Sequence, residues 1–207
     1  MNPLLIAFVG VLLVPLFVAS WRLSLFGLAG QSLLMAWISY QLDPGLDTVS
    51  AWVGMFDLVV VRGLGAPLVL YAVLRSQRAT ARHDAIPPNL MSWTLAIALV
   101  LVAFRFADML VPLEGNEHSV VAGATAGLLL GLLVLATQTG PFSQMVGVLR
   151  IENGIALFEL GGGHHELAIQ IAQTVILIAT VLLFRWYLKS LPRPSTVKVS
   201  AVEGMSS

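Results

Sequence analysis

Cysteine is absent from the 207 residues. That excludes a disulfide framework, a thiolate-bound zinc and a protein-ligated iron–sulfur cluster. Charge is scarce: Asp, Glu, Lys and Arg make up 11% of the chain, against about 25% in a soluble domain. A phosphate-binding loop, a nucleophile–base arrangement and ligands spaced for haem or zinc are missing too. So is any basic stripe suited to nucleic acid. No catalytic residue, no metal and no cofactor is expected on this chain.

What is present is apolar. Hydrophobic residues make up 57% of the sequence and the mean hydropathy is +0.88. Lipid admits only helices or closed barrels, and the apolar runs here are continuous, about 20 residues long, rather than alternating. The expected fold is all-α, a polytopic transmembrane helical protein of about seven spans. The expected segments are 2–19, 23–41, 56–74, 91–111, 119–138, 142–160 and 167–189. An amphipathic stretch with Trp52 leads into the third. The run from Met1 to Ser20 lacks the basic start of a secretory signal, so it reads as a first span. The segments form one integral membrane domain, 1–191, with four helices in 1–111 and three in 119–189. A polar tail, 192–207, is expected to be disordered and cytoplasmic.

Charges in the loops set the orientation. With seven spans, Arg22, Arg75, Arg78, Arg82, Arg185, Lys189, Arg193 and Lys198 share one side, and Asp43, Asp47, Glu114, Glu117 and Glu166 share the other. The positive-inside rule then puts the N-terminus outside and the C-terminus in the cytoplasm. An even number of spans mixes basic and acidic loops. The short Thr139-Gly140-Pro141 segment reads as a turn, because the two flanking segments are too long for one crossing. The basic loop from Arg75 to Asp84 follows from this topology, or else binds acidic lipid or a cytoplasmic partner. The loop with His164 and His165 reads as solvated, since adjacent histidines make a poor metal pair.

Ionisable residues inside spans are expensive and mark function or structure that hides them from lipid. Arg105 and Asp108 are three apart and share a face. Arg62 and Asp57 lie at similar depth, so the four can form an outer-half polar network or an ion exit path. On the sixth segment, Arg150 and Glu152 lie about 200° apart around the axis and cannot neutralise one another, whereas Arg150 and Asn153 share a face. Glu152 needs a partner from another helix, from water or from another subunit. A carboxyl group taken out of water is suited to carrying a proton, which makes Glu152 the candidate relay of a proton path, with Arg150 and Asn153 its tuning or docking neighbours. Gly123, Gly127 and Gly131 make one smooth face for close helix packing. Gly63, Gly65 and Pro67 suggest a kinked segment.

The run Gln144-Met-Val-Gly147-Val-Leu-Arg150-Ile-Glu152-Asn153-Gly154-Ile, followed by Glu166-Leu167-Ala-Ile, resembles the hydrogenase-4 component E family. These are membrane subunits of group 4 energy-converting hydrogenase and formate hydrogenlyase assemblies. The last three segments also look like the K-type subunit of respiratory complex I and the C-type subunit of multi-subunit sodium/proton antiporters. The resemblance implies a non-catalytic subunit of a redox complex in a bacterial or archaeal plasma membrane. It would sit among antiporter-like and other membrane subunits, and Glu152 would match a buried protonatable Glu. Relatives usually carry a second acid in the last helix. Here Gln170 and Gln173 stand in that helix; they can hold water but not store a proton. Two other readings stand beside this one: an accessory subunit of a cation/proton antiporter, and a purely structural membrane scaffold.

Overall fold

In lipid every backbone donor and acceptor must find its partner within its own segment or an adjacent one. Accordingly, all regular structure among the described residues is helical. The computed structural model describes residues 3–18, 20–76, 90–110, 116–161 and 166–191. The polar tail, the His164–His165 pair and most of the basic loop lie outside these residues. Seven continuous helices are described: α1 Pro3–Phe17, α2 Trp21–Leu42, α3 Val49–Ser76, α4 Leu90–Leu110, α5 Asn116–Thr137, α6 Pro141–Gly161 and α7 Leu167–Ser190. Five of them, α2, α3, α4, α5 and α7, are long and apolar enough to cross a membrane.

Local capping explains two boundaries that differ from expectation. Ser20 Oγ accepts the Leu23 N–H at 3.4 Å, so α2 starts at Trp21. Thr48 Oγ1 accepts the Ala51 N–H at 3.2 Å, so the Trp52 stretch is the first two turns of α3 and not a separate lead-in. Both are side-chain N-caps that satisfy otherwise orphaned donors.

α3 departs from α geometry in its middle. Residues Asp57–Gly65 form a π-helix, and the Ala66 N–H bonds the Val61 carbonyl five residues back. Glycine permits it. A Cβ on Gly63 would meet the Leu58 carbonyl oxygen at 3.0 Å, and one on Gly65 the Val60 oxygen at 3.1 Å. In each case the crowding atom lies five residues back, where the wider turn brings it close. Pro67 has no N–H to extend an α ladder through this region. The expected kink is thus a π segment, a form that recurs at functional sites.

The bundle is built on the α5–α6 hairpin. Gln138, Thr139 and Gly140 connect the two helices, and Pro141 occupies the first helical position, where its missing N–H costs nothing. The pair runs antiparallel: a Cβ on Gly127 would lie 3.6 Å from the Gly154 Cα, and one on Gly131 3.1 Å from the Gly147 oxygen. Gly147, Gly154 and Gly161 supply α6's half of this contact at seven-residue spacing. Close approach of this kind is how helices gain dispersion energy where hydrocarbon gives no hydrophobic drive. α1, α2 and α4 pack around the hairpin, and α7 lies against α3 and α6. α7 leaves Val175, Ile176, Leu183 and Trp186 exposed, a surface suited to lipid or to another subunit.

Candidate functional site

The chemistry-bearing side chains converge on α6, which sends three polar groups to four neighbouring helices. Arg150 is 2% exposed, and its Nη1 donates to the Leu12 carbonyl of α1 at 3.0 Å. One turn on, Asn153 faces α2 and α3. Glu152 points away from Arg150, as the spacing predicts, and meets Thr180 of α7.

The π segment of α3 makes the tightest pair in this region. In an α-helix, residues five apart sit about 140° apart around the axis. The i→i+5 turn stacks them instead, and Arg62 Nε donates to Asp57 Oδ2 at 2.6 Å. The Arg62 side chain is 2% exposed and that of Asp57 10%. Arg62 Nη1 then donates to Asn153 Oδ1 at 3.2 Å, and Asn153 Nδ2 to Ser32 Oγ at 3.3 Å. Ser32 Oγ donates in turn to the Leu28 carbonyl at 3.1 Å. The row joins α3, α6 and α2. Arg62 donates both ways, to Asp57 and to Asn153, and from Asn153 on the donors run through Ser32 to a backbone oxygen. A guanidinium and an amide hold protons and do not pass them on, so this row fixes geometry and charge.

Glu152 is different in kind. Thr180 Oγ1 of α7 donates to its Oε1 at 2.8 Å. Its Oε2 is buried with no hydrogen-bonding partner in the protein. Arg62 and Asp57 are the charged groups that act electrostatically on it. One oxygen is anchored and the other is left without a partner.

Of the expected site residues, Arg62, Asp57 and Asn153 are brought into one bonded row. Arg150 is buried elsewhere on α6's surface, against α1. Gln170 and Gln173 do not bond Glu152; they line a small cavity with Asp57 and Glu159. The four residues of the expected outer network fall into two separate sets. Arg105 lies 3.8 Å from Asp108 and is 87% exposed at its side chain, while Asp108 Oδ1 bonds His118 Nε2 of α5 at 2.7 Å. Among the described residues no hydrogen bond or ion pair joins this set to Asp57 and Arg62. The physical reason is the π turn, which directs Asp57 and Arg62 at α6. Sequence reasoning missed Ser32, Thr180 and His118. Thr180 had a signal: Glu152 required a donor from another helix, and Thr180 is a hydroxyl in the apolar second half of α7.

Compared with known proteins, the chain matches no family model, no curated protein and no solved structure.

Proposed function

We propose that this chain is a non-catalytic integral membrane subunit of a complex I-like or group 4 hydrogenase-like redox assembly, with Glu152 a station on its proton path. The observation that carries this reading is Glu152 itself: a carboxyl group within a helical bundle, held at one oxygen by Thr180 and unpartnered at the other. Such groups are costly in lipid and mark relay or binding sites. The likeness of residues 144–155 to hydrogenase-4 component E points the same way.

In this reading the chain crosses the membrane seven times, with the C-terminus cytoplasmic. α6 has 21 residues, a rise of about 31 Å, enough for a hydrocarbon core of about 30 Å. It tolerates Arg150, Glu152 and Asn153 because α1, α2, α3 and α7 cover them. α1, with 15 residues, rises about 22 Å and crosses by thinning the bilayer or with flanking residues.

Arg150 and Asn153 position α6, while Glu152 exchanges the proton. Gln173 lies seven residues from Thr180, about 10 Å along α7, so the glutamines do not continue the path from Glu152 directly. The next station lies on a partner subunit, reached across the sparsely covered face of α7. Purification in mild detergent tests the assembly. Co-purifying hydrogenase-like or quinone-linked soluble subunits support it. Antiporter subunits alone would point instead to an accessory role in a cation/proton antiporter, and isolation as a lone protein would overturn both.

A further inference from the structure

A cavity of about 30 Å³ lies where α3, α6 and α7 meet. A void of this size holds one or two water-sized particles. Its polar wall is made by Asp57, Glu159, Gln170 and Gln173. Asp57 is 7% exposed; Arg62 occupies its Oδ2, and its Oδ1 is buried with no partner in the protein. Gln170 Oε1 is likewise buried and unpartnered. Gly54 makes room for that amide: a Cβ there would lie 3.4 Å from Gln170 Nε2 and 3.7 Å from its oxygen.

Both unpartnered atoms are acceptors, one a carboxylate oxygen and the other an amide oxygen. Burying either without a positive partner is unfavourable. The occupant they call for presents positive charge or a donor. Two of the four polar wall residues are carboxylates, and no Lys, Arg or His lines the cavity. That sets the sign. An all-oxygen set of carboxylate and amide groups is the donor set of hard cations. A divalent ion fits poorly, because Arg62 already balances Asp57. Among the described residues no group of three or more His, Cys, Asp or Glu side chains is placed to hold a metal, which argues against transition-metal binding.

We propose that Asp57, Glu159, Gln170 and Gln173 form a binding site for one small monovalent cation of sodium's size. The site holds on this geometry alone, whether or not the chain belongs to a redox assembly. Neither Glu152 nor Thr180 lines it, so it is a site apart from the Glu152 relay.

The test is binding of radiolabelled sodium to the purified full-length protein in detergent, with ionic strength held constant by a bulky organic cation chloride. The expected result is saturable binding that Gln170→Leu and Gln173→Leu each weaken by about tenfold or more. Neither replacement leaves a buried charge unpaired, so both variants should elute and melt as the parent does without sodium. Asp108→Asn, outside the wall, should bind as the parent. Absence of saturable binding means the cavity holds water only and overturns the proposal. So does unchanged affinity in Gln170→Leu.

Discussion

Replacing Asp57 by Leu removes the carboxylate that Arg62 Nε meets at 2.6 Å and leaves a 98%-buried guanidinium with Asn153 Oδ1 as its remaining acceptor. Breaking a buried pair from one side costs about 3–5 kcal/mol, because the surviving charge is left uncompensated. Arg62→Met should cost about the same, since Asp57 then keeps no partner at either oxygen. Replacing both residues removes both charges at once. Well-packed apolar substitutes for a buried pair are often neutral or better, so Asp57→Leu/Arg62→Met should be more stable than either single variant. The coupling energy in a double-mutant cycle should then be about 2 kcal/mol or more. Reversible unfolding of the purified protein in mixed micelles measures all four corners. Additive losses would refute the π-stacked pair as the unit that closes α3 onto α6.

Gly154→Ala should destabilise the α5–α6 hairpin by about 1–3 kcal/mol, because the new methyl meets the Ala124 oxygen and Leu128 nitrogen at 3.1 Å, backbone atoms that cannot rotate away; thermal melting in detergent reads it. Asp108→Asn should cost less than about 1 kcal/mol by the same assay, since the Asp108 side chain is 33% exposed and that of Arg105 87%, and exposed pairs contribute little. Thr180→Val keeps the shape of α7 but removes the donor to Glu152 Oε1; complex yield should be unchanged while the proton-to-electron ratio falls.

Helix positions were legible in the sequence because each apolar run is long and its ends carry their own signals. Pro141, Leu167 and the turn at 138–140 fall within a residue or two of expectation, and the cap at Thr48 accounts for the largest difference. The faces of α6 were legible too, because 100° per residue separates Arg150 from Glu152 whatever packs around them. What sequence alone did not reveal is which helix each face meets. Asp57 and Arg62 look mispaired at five-residue spacing until the backbone widens into a π turn. Gly63 and Gly65 marked the place but not the form. The glycines of α6 were visible at Gly147 and Gly154, yet their role follows only once Gly127 and Gly131 are seen to face them. Gln170 and Gln173 share a helix face, as their spacing requires, but that face turns toward Asp57 and Glu159 and not toward Glu152.

Glu152 is proposed to carry a proton and not merely to hold α6 in place. Glu152→Gln is nearly isosteric and keeps an acceptor for Thr180 Oγ1, so the bundle should assemble with unchanged yield. Proton uptake by membrane vesicles containing the intact assembly, driven by its own electron donor, is the direct measurement. Electron transfer without coupled proton translocation is the expected result. Normal pumping by the Glu152→Gln assembly would contradict it.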